Sequence, residues 1–458
     1  MHLKLKRMLL ALLLCCALLL PCGAAASAEA GPFYLRILVG DRSGTVQAYQ
    51  NEFHNNYYLS LSDLSAVLDG TRCEYRFYYQ NTAADGEFFN VETGFNALKA
   101  SAAGNPTADP WTSSLTPFRN RIFVNGEEHR YYTCRAGKDL YMSLTDIQLM
   151  LDLPAELQED GVRFYPEQHF YPDVPLLDQQ GYFECFNAVL LGDADTGEIL
   201  YASNTADPVP IASISKLMTY LLLAEAAETG EISLNAQVPI SENAAALSQG
   251  ADAMVRLKAG SSIPAQELLK AMLLASSNES ALALAEYAAG TEADFVDRMN
   301  ARAEELGLET ARFYNPNGLP VYLPQALTAK AQNRMSAEDL FLLCQTILSE
   351  CPEITAITRE RYGYLPTLDY NTANSNAVVF NLEGCNGLKT GSTTKAGSCL
   401  AATLPITVDG QTHTAVAIVL GAESADARNQ ATEILLRYAV STYTDRGFAQ
   451  PEDAGSEG

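Results

Sequence analysis

The chain has 458 residues, 48% of them hydrophobic, and a formal net charge of −25. That length gives room for two or more domains with sizeable cores. The acidity argues against nucleic acid and anionic lipid surfaces as partners, because both would be repelled.

Lys4, Lys6 and Arg7 form a positive start, Leu9 to Leu20 is almost wholly apolar, and Ala26-Ser27-Ala28 offers small residues for cleavage. This pattern predicts a secretory signal over residues 1–28 and a secreted, extracytoplasmic protein. Cys22 invites lipid attachment, but Pro21 just before it fits a lipidation box poorly, so cleavage after Ala28 is preferred over a lipoprotein or an uncleaved anchor. Cleavage removes three positive charges and no acids, leaving −28. Seven cysteines remain: Cys73, Cys134, Cys185, Cys344, Cys351, Cys385 and Cys399. None has C-x-x-C or Cys/His spacing, so no metal site is expected. Cys73 with Cys134, or Cys344 with Cys351, could pair.

Residues 31–170 carry an internal repeat. Tyr58-Leu59-Ser60-Leu61-Ser62-Asp63-Leu64 returns 83 positions later as Tyr141-Met142-Ser143-Leu144-Thr145-Asp146-Ile147. Each copy follows a strand-like run (Tyr34 to Val39; Ile122 to Val124) and leads into a short helix ending near Leu68 or Leu151. Another strand-like run then follows, Cys73 to Tyr79 or Gly161 to Tyr165. The spacing predicts a duplicated β-β-α-β unit. Ser62/Asp63 and Thr145/Asp146 read as helix-start residues rather than catalytic carboxylates. Residues 95–118, with Gly104-Asn105-Pro106 and Asp109-Pro110, read as a loop between the halves. The pattern resembles the copper amine oxidase N-terminal-like domain, an accessory module of secreted bacterial proteins. No metal ligands stand out in it, so no copper is implied.

Residues 171–182 contain Pro172 and Pro175 and read as a linker, with a modest polar interface expected between the parts it joins. From Asn187 the texture changes. Ala188 to Leu191 and Ile199-Leu200-Tyr201 flank Asp195-Thr196-Gly197, the pattern of a β-hairpin. Helical runs follow at 214–229, 264–274, 279–289, 292–306 and 336–349, then strand-like runs at 385–391, 398–404 and 412–421, and a helix at about 425–443. Strands first, helices in the middle, and strands with a helix last predict an α/β (α+β) domain, one antiparallel sheet flanked by helices. Residues 446–458 are acidic and read as a disordered tail.

Three short motifs point to chemistry. Ser213-Ile214-Ser215-Lys216 opens the first helical run, so hydroxyl and amine share one face. Burial would lower the lysine pKa, and a neutral amine can take the serine proton. Read alone, the tetrad is better taken as a surface helix N-cap with a solvated lysine. Ser276-Ser277-Asn278 lies between two helical runs, where a hydroxyl and an amide can turn into one cleft; alone it reads as a helix cap with Asn278 as the capping residue. Lys389-Thr390-Gly391 lies on a strand-like run, where the first two can hold a carboxylate and Gly391 permits close backbone approach; alone it is an edge strand with a solvated lysine.

In this order and at this spacing, the three motifs are the signature of penicillin-binding proteins and class A β-lactamases. Ile211 to Thr219, Met254 to Glu286, Asn315 to Leu319, Gly387 to Leu400, and Val419 to Ala422 followed by Arg428 resemble the low-molecular-weight D-alanyl-D-alanine carboxypeptidases, peptidase family S11. The resemblance spans residues 183–445. It implies the penicillin-binding/β-lactamase-like transpeptidase fold and an acyl-enzyme reaction that removes the terminal D-alanine from peptidoglycan stem peptides without a cofactor.

The resemblance also implies roles. Ser213 is the acylated nucleophile, Lys216 its base, and Ser276 the proton relay. Asn278 contacts the substrate amide. Lys389, Thr390 and Arg428 hold the terminal carboxylate, and the backbone N–H groups of Ser213 and Ser392 form the oxyanion hole. β-Lactams are expected as covalent inhibitors, the cell envelope as the location, and residues 31–170 as a possible contact to wall glycan.

Three departures and rivals bear on this reading. Ser277 stands where the family usually has Gly, at a position with no assigned role. A β-lactamase would need a deacylating glutamate between the second and third motifs, where Asn315-Pro316-Asn317-Gly318 stands instead. A catalytically silent wall-binding protein would not need the intact triplet. Cleavage of cross-linked peptides stays open, because both substrates offer the same D-Ala carbonyl.

Overall fold

Ala188–Asp193 is apolar at consecutive rather than alternate positions, the pattern of a strand covered on both faces, and all six residues are buried. In the computed structural model, which describes residues 32–51, 56–82, 86–93, 115–118, 121–136, 139–158, 161–250, 253–323 and 326–448, this strand lies inside a five-stranded antiparallel sheet. The strand order is Ile199–Ser203, Ala188–Asp193, Gln411–Ala422, Gly397–Val408, Gly387–Thr393. Successive side chains enter different cores. Leu190, Ala401 and Ile418 join an apolar cluster with the helices Lys216–Glu228, Ala265–Leu274, Asn278–Ala289 and Ala337–Glu350. Val189, Leu191, Leu400 and Val419 join a second cluster with helix Ala425–Phe448. The architecture is the expected sheet flanked by helices.

One helix start differs from expectation. Residues Ala212–Ser215 form a 3-10 turn, and the α-helix begins at Lys216. Ala212 holds a left-handed φ of +48°, a conformation that breaks a regular helical start.

The N-terminal part has an eight-stranded sheet and a four-stranded sheet. The two repeat copies meet at the centre of the larger one. Tyr58 pairs with Ser143, Leu59 with Met142 and Ser60 with Tyr141, so Leu59 sits opposite its own counterpart, and Tyr58 and Ser60 each opposite the other's, as across a local two-fold axis. The helices Leu61–Leu68 and Leu144–Leu151 follow directly. Their N-caps are Ser60 and Ser143, whose hydroxyls accept the amides of Asp63 and Asp146 at 3.2 and 3.0 Å. Ser62 and Thr145 lie one residue inside the helices. Of the expected loop 95–118, Thr116–Phe118 is a strand and residues 95–114 lie outside the described residues, as do the signal segment and residues 449–458.

Residues 171–182 do more than connect. They hold the helix Val174–Gln179, capped by the Asp173 carboxylate, and Val174, Phe183 and Phe186 are buried. A single apolar cluster runs from Ile37, Leu59 and Ile147 through these residues to Leu400, Leu404, Leu435 and Leu436. The interface is therefore apolar at its centre rather than modest and polar. At its edges Arg437 Nη2 donates to Leu149 O at 3.2 Å, and Gln430 Nε2 to Ser143 Oγ at 3.1 Å. Neither offered pairing, Cys73 with Cys134 or Cys344 with Cys351, forms a disulfide. Among the described residues no helix is long and apolar enough to cross a membrane.

Candidate active site

Ser213 sits in the 3-10 turn and Lys216 at the first position of the helix that follows, wholly buried. Lys216 Nζ lies 2.8 Å from Ser213 Oγ, 2.8 Å from Asn278 Oδ1 and 2.7 Å from Asn317 O. Burial pushes its pKa well below the ordinary lysine range. The charge of Lys389 adds to this and Glu279 opposes it. A carbonyl and an amide oxygen can only accept. A neutral amine that donates to both keeps its lone pair for the Ser213 hydroxyl, the arrangement of a general base.

The second motif lies where helix Ala265–Leu274 gives way to helix Asn278–Ala289. The N-cap there is Ser277: its hydroxyl accepts the Ser280 amide at 3.0 Å and meets Ser280 Oγ at 2.7 Å. Asn278 is thereby relieved of capping, and its side chain faces Lys216. Ser276 is half-buried with φ +63°. No hydrogen bond joins it to Lys216, whose amine is engaged by Ser213, Asn278 and Asn317.

The third motif is on the edge strand Gly387–Thr393, paired on one side only, to Gly397–Val408. Lys389 is buried, and its Nζ donates to Thr390 O at 2.8 Å. Burial first, and the nearby Arg428 second, lower it to about 7. Thr390 Oγ1 meets Ser375 Oγ at 2.6 Å. Arg428, at the start of the last helix, is also buried and lowered to about 10, and its guanidinium donates to Asn429 Oδ1 at 2.8 and 3.1 Å. Among the described residues neither Lys389 nor Arg428 makes a salt bridge, though the charge of Asp426 acts on Arg428. Ser392, the last of the expected set, is exposed at the strand's end.

Two glycines set the spacing. A Cβ on Gly391 would stand 2.8 Å from both Ile211 O and Ser213 N, and one on Gly318 only 2.0 Å from Ala212 O. Only glycine lets the third-motif strand and the 315–318 loop close on the serine turn from two sides.

A family model described as D-alanyl-D-alanine carboxypeptidase matches residues 184–424. The chain belongs to the D-alanyl-D-alanine carboxypeptidase family. D-alanyl-D-alanine carboxypeptidase DacF of Bacillus subtilis is 33% identical over 266 residues, 57% of this chain and 63% of that protein. A D-alanyl-D-alanine endopeptidase of Pseudomonas aeruginosa is 32% identical over 216 residues, 46% of this chain and 65% of that protein. The chain thus spans less than two thirds of the length of these relatives. Among solved structures, a peptidoglycan synthesis regulatory factor (PBP3) from Streptococcus pneumoniae aligns with a TM-score of 0.51 at 31% identity, covering 56% of this chain and 72% of that one.

Within this family scaffold, four site residues had been given no role from the sequence. Asn317 contributes its backbone carbonyl to Lys216, and Asn315 Oδ1 shapes the loop by accepting the amides of Asn317 and Gly318 at 3.2 and 2.6 Å. Glu279 is wholly buried. Its Oε1 accepts the backbone amides of Met254, at 2.8 Å, and Val255, while Oε2 has no partner. Ser375 adds a hydroxyl beside Thr390. A run of Asn, Pro and Gly can signal the 315–318 turn; nothing in sequence signals a carbonyl's target.

Proposed function

We propose that the chain is a secreted serine-type D-alanyl-D-alanine carboxypeptidase acting on peptidoglycan stem peptides through an acyl-enzyme. The observation that carries this reading is Lys216, buried, lowered in pKa and 2.8 Å from Ser213 Oγ. Neutral Lys216 takes the hydroxyl proton as Ser213 Oγ bonds to the penultimate D-Ala carbonyl. The N–H groups of Ser213 and Ser392 receive the oxyanion, a term that is commonly among the largest in acyl transfer. Lys389, Thr390 and Arg428 hold the terminal carboxylate, and Asn278 the substrate amide. As the tetrahedral intermediate collapses, the C–N bond breaks and the leaving amine takes a proton relayed through Ser276. Water then cleaves the ester and restores Ser213.

On this reading β-lactams acylate the same serine. Residues 1–28 direct the protein out of the cytoplasm. Residues 31–170 form a copper amine oxidase N-terminal-like module that meets wall glycan. The test is free D-alanine released from a pentapeptide ending in D-Ala-D-Ala. Wild type releases it and Ser213→Ala does not; no release by wild type, or equal release by both, overturns the proposal.

A further inference from the structure

The N-terminal module reaches the segment that braces the third motif. Arg130, in the link between strands Glu127–His129 and Thr133–Ala136, donates through Nη1 to Asn374 O at 2.9 Å. Its backbone N–H donates to Asn381 Oδ1 at 2.7 Å, and its guanidinium lies 3.6 Å from the centre of the Phe380 ring. Glu128 holds Arg130 from the module side, with Nε to Oε1 at 3.7 Å, and also accepts the Tyr362 hydroxyl at 2.5 Å.

The segment so gripped touches both remaining motifs. Asn374 Oδ1 accepts the Asn376 amide at 2.9 Å, and Asn376 Nδ2 donates to Gly387 O, the first residue of the Lys389 strand, at 2.8 Å. Between them, Ser375 Oγ meets Thr390 Oγ1 at 2.6 Å, while Ser375 N donates to Leu274 O, two residues before Ser276. The Gly387–Thr393 strand lies at the sheet edge. Besides its one neighbouring strand, it meets the serine turn at Gly391 and this brace at Gly387 and Thr390.

We infer that Arg130 is a positioning residue for the active site: the module holds residues 374–376, which set the placement of Lys389 and Thr390. The inference rests on the proposed acylation of Ser213. A lost contact of this kind acts by displacing reacting groups, and small displacements cost large factors in rate.

The test compares full-length Arg130→Ala, Arg130→Lys and Arg437→Ala with wild type. Arg437→Ala cuts the module's contact at Leu149 O, a hydrogen bond that involves neither Arg130 nor residues 374–376. Two readouts are taken, the second-order rate of acylation by benzylpenicillin and hydrogen–deuterium exchange across residues 387–393. Arg130→Ala is expected to acylate about ten-fold more slowly and exchange faster in that strand, Arg130→Lys to recover part of the rate, and Arg437→Ala to stay within about two-fold of wild type even with a lower melting temperature. Unchanged rate and exchange in Arg130→Ala, or equal losses in Arg130→Ala and Arg437→Ala, would overturn the inference. Wild type that does not acylate defeats the functional proposal instead, and the exchange measurement then still decides whether Arg130 sets the strand.

Discussion

The α-carbon of Gly391 is pressed so close to Ser213 that a methyl group on it would stand 2.8 Å from the serine's backbone nitrogen. The third motif and the nucleophile turn are thus in direct backbone contact, and the glycine is what permits it.

Gly391→Ala should therefore be a sensitive probe. Its φ is not among the left-handed ones, so the added methyl acts by crowding and not by backbone strain. Acylation by benzylpenicillin is expected to fall on the order of a hundred-fold, with the protein still folded. A stopped-flow or gel-based acylation rate, with a melting curve beside it, checks this. A near-native rate would mean the turn and the strand separate freely.

The two buried lysines predict the pH profile. kcat/KM reports ionisations of the free enzyme. Activity needs Lys216 neutral, so it falls as pH drops through that residue's folded pKa, which lies well below 10.5. It needs Lys389 charged, so for a substrate with a free carboxylate it falls as pH rises through about 7. An amidated substrate should lack that alkaline limb. Both folded pKa values lie below the unfolded ones, so in this window the unfolded chain binds more protons and stability rises with pH. Lys389→Met should flatten the rise in urea midpoints between pH 7 and pH 10. An alkaline limb shared by the amidated substrate would separate Lys389 from carboxylate binding.

Ser277 carries a stability prediction. Its hydroxyl caps the helix that presents Asn278, so Ser277→Ala should cost about 1 kcal/mol in urea unfolding. Ser277→Gly should cost only a few tenths, because glycine is tolerated at a cap. Equal losses for the two would locate the effect in the buried Ser280 contact rather than in the cap.

What could be read in the sequence was local. Ser213 and Lys216 are three residues apart on one turn, and the runs of Leu and Ala that bury Lys216 are contiguous with it. The helices at 265–274 and 278–289 and the strand at 387–393 announce themselves by composition, the second helix also by Gly290 and the strand by Gly387. Long-range partners were not legible. Nothing at Arg130 points to Asn374, because the two are 244 residues apart. Pro172 and Pro175 signalled a break, yet Val174, Phe183 and Phe186 close an apolar core around it, since hydrophobic side chains do not state what they will bury against. Ser277 was passed over for a related reason. Its importance lies in relieving Asn278 of the cap, visible only once the helix start is fixed to the residue.

The claim that Ser213 is the nucleophile is tested most directly by intact-protein mass spectrometry after incubation with benzylpenicillin. Wild type is expected to gain the mass of one drug molecule, while Ser213→Ala, folded and identically treated, gains none. Equal labelling of the two proteins, or an unlabelled wild type, would contradict the account.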